Sequence, residues 1–178
     1  MKKIIMIAVI AALPFSGFSQ SLFDKFEDLD NVTSVVINKS MFNLLTKIDV
    51  EVDDKETQDF IDIAKSTNSL KVFITEDKAI GADMYSAVKS YLKSASLEEL
   101  MRVKDKQANI KFYIKNGKDA DHVSELLMFI SGIQDVNFDS RKIETVLLSI
   151  TGDIDLNKIS SFTKKMNLPD ELNKVNQK

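Results

Sequence analysis

Residues 145–166 read TVLLSITGDIDLNKISSFTKKM, and the fold turns on how this stretch divides. Val146, Leu148 and Ile150 alternate with Thr145, Leu147 and Ser149, the period-two pattern of a strand. Both sets are fairly apolar, which predicts an interior strand covered on two sides. Gly152 permits a tight exit. Asp153 or Asp155 can then cap a last helix carrying Leu156, Ile159, Phe162 and Met166, and Pro169 ends it.

A similar phrase lies just upstream, NIKFYIKNGKDADHVSELLMFISG, residues 109–132. Ile110, Phe112 and Ile114 alternate with Lys111, Tyr113 and Lys115 as a strand with one face in the core. Asn116-Gly117 supplies a turn. Asp119 or Asp121 is then expected to cap a helix whose stripe is Val123, Leu126, Leu127 and Ile130, closed by Gly132. Residues 133–142 read as a polar connection, with Ile133, Val136 and Phe138 as packing points.

The first half gives the same coarse order. Leu22, Phe23, Phe26 and Leu29 share one face of a short helix with Ser21 at its cap. Thr33–Ile37 is β-rich. Asn38-Lys39-Ser40 breaks that strand, and Met41, Leu44, Leu45 and Ile48 recur at helical spacing behind Ser40. Met41 and Phe42 read as core or interface residues. Asp53 and Asp54 can cap a helix over 55–65, with Phe60, Ile61 and Ala64 as its buried stripe. Leu70, Val72 and Ile74 face one way along the next strand, and Met84, Val88, Tyr91 and Leu92 mark the helix after it. Residues 97–103 fit either a helix or the start of a strand. The expected class is α/β, a two-layer sandwich. The element order allows two similar βαβα-type halves, 32–95 and 108–166, packed as one compact unit, with independent units of one domain as the alternative.

The chain has 178 residues, 44% hydrophobic and 29% charged, the balance of a folded body. It has no cysteine, which excludes disulfides, a CxxC redox site, cysteine-held metal and lipidation on a lipobox cysteine. Residues 1–20, MKKIIMIAVIAALPFSGFSQ, carry a basic start, a short apolar run and small residues before Ser19 and Gln20. That is the form of a signal peptide cleaved after Ser19 or Gln20. Its loss takes the net charge from −3 to about −5, which argues against a nucleic-acid-binding surface. The domain is expected over 21–168, with a polar tail over 169–178, no transmembrane span in the mature chain, and a periplasmic or secreted location.

Tests for chemistry return little. His122, the only histidine, stands beside Asp121 and three residues before Glu125, but no serine nucleophile accompanies it and helix-start surface is the simpler reading. Asp153, Asp155 and Asn157 begin an EF-hand-like pattern that fails at Lys158, where glycine is needed, and at Lys164, where glutamate is needed. Asp49, Glu51, Asp53, Asp54 and Glu56 could bind calcium, but Val50 and Val52 alternate with them as on a wet strand edge. Tyr85, Tyr91 and Tyr113 could stack on a sugar or peptide, or simply pack their rings. There is no HExxH, no Rossmann or phosphate-loop glycine pattern and no GxSxG. No catalytic, cofactor-binding or metal residue is assigned, and no cofactor is expected.

The phrases VTSVVINKSMFNLL (32–45), LLMFISGIQDV (126–136) and LLSITGDIDLNKISSF (147–162) give the chain its resemblance to the DUF4252 family of small exported proteins from Bacteroidota, over nearly all of residues 21–168. The resemblance implies no reaction, cofactor or binding residue. Many members resemble lipoproteins with a cysteine after the leader, and its absence here points to a free protein. The functional expectation is a noncatalytic envelope protein that binds a protein partner in regulation or sensing. A small-ligand or peptide binder, and a hydrolase without a recognisable motif, are the alternatives.

Overall fold

The computed structural model describes residues 21–45, 47, 55–104, 106, 108–133, 137–138 and 141–158. The leader at 1–20, the acidic residues 49–54 and the expected helix positions Ile159, Phe162 and Met166 lie outside the described residues, as does the tail at 169–178.

The elements run α1 (Ser21–Asp24), β1 (Val32–Asn38), α2 (Lys39–Leu45), α3 (Lys55–Ser66), β2 (Thr67–Thr75), α4 (Lys78–Ser94), β3 (Glu98–Lys104), β4 (Asn109–Asn116), β5 (His122–Ser131), β6 (Asn137–Phe138), β7 (Arg141–Lys142) and β8 (Thr145–Asp155), then a 3-10 turn at Leu156–Lys158. Six strands form one sheet in the order β1-β2-β8-β5-β4-β3. Every neighbouring pair is antiparallel. The residue pair β6–β7 forms a separate small hairpin within the stretch expected to be a plain connection.

The register builds apolar rows across the sheet. Val35, Val72, Leu148, Met128, Phe112 and Met101 lie side by side across all six strands. The adjacent row runs Ile37, Leu70, Ile150, Leu126 and Ile114. This face packs with Ile63 and Ala64 of α3 and with Phe42 of α2. The opposite face carries Phe73, Leu147, Leu127, Phe129 and Tyr113, and packs with Met84, Val88 and Tyr91 of α4 and with Phe23 and Phe26. Helices therefore lie on both faces, where a two-layer sandwich has one helical layer. The α/β class stands.

The largest departure from the sequence expectation is β5. Val123, Leu126, Leu127 and Ile130 do fall at helical spacing, but residues 125–130 are all buried. A central strand with both faces covered shows a continuous apolar run, and such a run fits a helical stripe equally well. With β5 a strand, the second half runs β4-β5-β8 by antiparallel pairing and does not repeat the strand–helix order of the first. The ambiguous stretch after Leu97 resolves as strand β3.

The second departure is the end of β8, which continues through Gly152 to Asp155 instead of stopping at the glycine. The Asp155 carboxylate accepts a hydrogen bond from the Asn157 backbone at 2.9 Å, so it closes a turn and one turn of 3-10 helix follows. Two helix caps were not read from the sequence. Asn38, not Ser40, accepts from the Met41 backbone at 3.2 Å ahead of α2. Asp77, within the expected connection, accepts from Ala79 and Ile80 at 2.7 and 3.1 Å and starts α4.

Candidate interaction surface

Strand β1 is the outermost strand on one side and β3 on the other. An edge presents a row of backbone donors and acceptors to any extended chain, and proteins usually blunt it with charge or a bulge. β3 is blunted in both ways: it carries Glu98, Glu99, Arg102 and Lys104, and its register shifts between Glu99 and Met101. β1, VTSVVIN, has no charged residue, and its register against β2 is unbroken.

The apolar surface concentrates at the same edge. Of the seven large hydrophobic residues exposed among the described residues, five are Leu29, Val35, Val36, Met41 and Leu44. Val35 and Val36 point to opposite faces of β1 yet are 44% and 45% exposed, so neither face of this edge strand is fully covered. Met41 and Leu44 are exposed on α2, which follows β1 directly in the chain. Single exposed hydrophobics need no explanation, but a cluster around an undefended edge does.

A cleft of about 490 Å³ opens where β1 begins. Val32, Ile74 and Ile143 form its apolar lining, with Thr33 beside them, and Asp30 and Glu76 supply carboxylates. Asp77 also borders it but is committed to capping α4.

The residues singled out for chemistry do not converge. His122 Nδ1 lies 2.7 Å from the Asp119 carboxylate at the exposed turn before β5, so its side-chain partner is neither Asp121 nor Glu125. Asp153 pairs with Lys118 at 2.6 Å, while Asp155 closes its own turn, so the EF-hand-like acids do not converge on a common ligand. No group of three or more histidine or acidic residues among the described residues is placed to hold a metal ion. Tyr91 and Tyr113 are buried and Tyr85 alone of the three is exposed, so the tyrosines line no shared groove.

Glu125, which the sequence offered only as a neighbour of His122, lies elsewhere than on a helix surface. On β5 it is only 6% exposed. Its Oε2 accepts a hydrogen bond from the Tyr91 hydroxyl at 2.7 Å, while Oε1 has no hydrogen-bond partner among the described residues. Burial raises its pKa above the ordinary value, against smaller opposing effects of the Tyr91 hydroxyl and Lys115. The residue does not line the cleft.

A pH prediction follows from that burial. A carboxyl whose pKa is raised on folding stabilises the fold fully below the ordinary glutamate range. That contribution is lost as pH rises through the raised value, because the folded state holds the proton more tightly. Glu125→Gln keeps an acceptor for Tyr91 and cannot ionise. Urea unfolding followed between about pH 4 and about pH 8 should show the native protein losing stability relative to Glu125→Gln as pH rises. Parallel curves for the two proteins would contradict the assignment.

Among the described residues no helix is long and apolar enough to cross a membrane. The family model for DUF4252, a domain of unknown function, matches residues 26–162. No curated protein and no solved structure matches the chain.

Proposed function

We propose that this chain, which belongs to the DUF4252 family, is a noncatalytic exported protein of the cell envelope that binds a protein partner in a regulatory or sensing role, and that it does so through the edge strand β1. The observation that carries the reading is the contrast between the two edges. β3 has charges and a bulge, whereas β1 has neither and is surrounded by exposed Leu29, Val35, Val36, Met41 and Leu44. Strand addition supplies affinity through backbone hydrogen bonds, and pockets for alternate side chains supply specificity. The exported location, periplasmic or secreted, rests on the basic and apolar leader at residues 1–20.

A second reading, a binding module for peptides, draws on the cleft at the start of β1. Its apolar lining suits the methylene stem of a lysine or arginine and its carboxylates suit the charged head. The two readings differ in whether the bound segment belongs to a folded partner.

The test is crosslinking and pull-down of the leader-cleaved protein from solubilised envelope, beside Val36→Lys and Val35→Lys. Both positions are nearly half exposed, so both variants should fold, with stability changed by less than about 1 kcal/mol. One reproducible protein partner, lost in both variants, is the expected result. A partner retained in both would remove β1 from the reading. A blank, with short extended peptides binding instead, would favour the peptide module.

A further inference from the structure

The cleft and the β1 edge are continuous. Val32 and Thr33 are the first two residues of β1, and both line the cleft. Thr33 lies opposite Ile74 in the register, and Ile74 lines the cleft as well. Side chains two residues apart on a strand share a face, so exposed Val35 is the next step along that face from Thr33.

A strand added to β1 inherits this spacing. It lies about 4.8 Å beyond β1, and its side chains facing Val35 and Thr33 are likewise two residues apart. The first rests beside an exposed valine. The second stands at the mouth of the cleft, whose lining holds three acidic residues and no base. Asp77 is engaged at the start of α4. Asp30 and Glu76 are exposed, and neither forms an ion pair among the described residues. The apolar lining suits the stem of a long side chain. An acidic residue there would meet two carboxylates of its own sign. An aliphatic one would desolvate those carboxylates with nothing in return. A lysine or arginine satisfies both the lining and the charge.

The neighbouring pairs of this sheet are all antiparallel, the slightly more stable arrangement, and the added strand takes the same direction. Its successive residues then face Val36, Val35, Ser34 and Thr33. The two valines are exposed on opposite faces and call for apolar neighbours. Ser34 is small and donates its hydroxyl to the Glu27 carbonyl at 2.9 Å.

We infer that the β1 edge and the cleft form one site, and that the segment it takes is an extended strand reading apolar, apolar, small, basic, with its lysine or arginine seated in the cleft against Asp30 and Glu76. The inference rests on the edge reading above and names the chemistry of the partner's strand. A second copy of this chain does not supply that chemistry. β1 has no basic residue, and Lys39 just after it already donates to the Lys65 and Thr67 carbonyls at 2.9 and 3.3 Å.

The test is fluorescence anisotropy of the labelled peptide acetyl-STVVSKTS-amide titrated with the protein, beside peptides carrying norleucine or glutamate in place of the lysine. The lysine peptide is expected to bind saturably, about tenfold more tightly than the norleucine peptide at low salt, with the glutamate peptide weaker still. In the double variant Asp30→Asn with Glu76→Gln, the lysine and norleucine peptides should bind within about twofold of each other. Val36→Lys should weaken every peptide about tenfold or more. All three positions are exposed, and thermal unfolding of each variant separates loss of binding from loss of fold. Equal binding of lysine and norleucine peptides to the native protein overturns the inference and leaves the edge reading standing. So does a lysine preference that the double variant keeps. Lysine-peptide binding unchanged by Val36→Lys makes the cleft a site by itself, which overturns the joint site and removes the edge. Absence of saturable peptide binding overturns the inference, and the edge reading is then decided by the pull-down alone. Sedimentation of the protein without peptide should show a monomer, and a dimer dispersed by Val36→Lys would assign the edge to a second copy and overturn the choice of partner.

Discussion

Gly152→Ala is expected to lower the unfolding free energy by about 3–5 kcal/mol, a large fraction of the stability of an ordinary domain. Gly152 sits within β8, in register with Thr67 at the point where α3 gives way to β2. A methyl group on it would collide with the Ser66 carbonyl oxygen and come within 2.8 Å of Thr67 Cα. These are backbone atoms, and they cannot swing aside. Thr67 is itself fully buried, and its hydroxyl is tied to the Ile63 carbonyl at 2.7 Å, so the junction has little room to retreat. The backbone at Gly152 also has φ +154°, a conformation that suits glycine. Gly132 is the control: its φ is +65°, but an added methyl meets only the Asn109 side chain at 3.5 Å. Gly132→Ala should cost about 1–2 kcal/mol from the left-handed conformation alone. Urea denaturation of both variants checks the pair. Equal losses would mean that the close crossing of β8 over the α3–β2 junction is not what requires Gly152.

Leu147→Ala should cost about 3–5 kcal/mol, by loss of buried methyl and methylene groups and by the cavity left behind. Leu147 is completely buried in β8, with Phe73 on one side of it in the register and Phe129 on the other. It faces the layer made by Met84, Val88 and Tyr91 of α4. Aromatic rings on both sides collapse poorly into the space of a missing isobutyl group, which places the expected cost in the upper part of the range. The measurement is the unfolding free energy together with its denaturant dependence. A cost below about 1.5 kcal/mol would mean that α4 settles into the gap, and the two-sided core would then be less tightly built than the register implies.

These two positions show how unevenly the fold could be read. Val146, Leu148 and Ile150 marked β8 by alternation, and the apolar Leu147 between them correctly indicated cover on two sides. The helix α4 was legible from Met84, Val88 and Tyr91, all of which are buried. β2 and β4 were legible in the same way, and β1 from its β-branched residues. Strand β5 was not. Its run of buried residues satisfies a helical period and a fully buried strand alike, and local spacing contains nothing that distinguishes them. The pairing with β4 and β8 on either side is what selects the strand.

The candidate surfaces divide in the same manner. The lack of charge in VTSVVIN and the charges in EELMRVK were both visible in the chain. That these two segments are the opposite edges of one sheet was not, because strand order depends on contacts between residues far apart in sequence. Asp30 and Glu76 are ordinary surface acids in one dimension, and Glu125 is an ordinary glutamate. The sequence by itself determined which segments alternate, which helices have a buried stripe and where charge is absent, since those depend on neighbours within a few residues. Only the tertiary structure decided that β5 is central, that β1 is an edge, that Gly152 meets the α3–β2 junction and that Asp30 and Glu76 border one cleft. Each of those depends on a register or a crossing fixed by packing over long stretches of chain, where local preference is outweighed by the burial of both sheet faces.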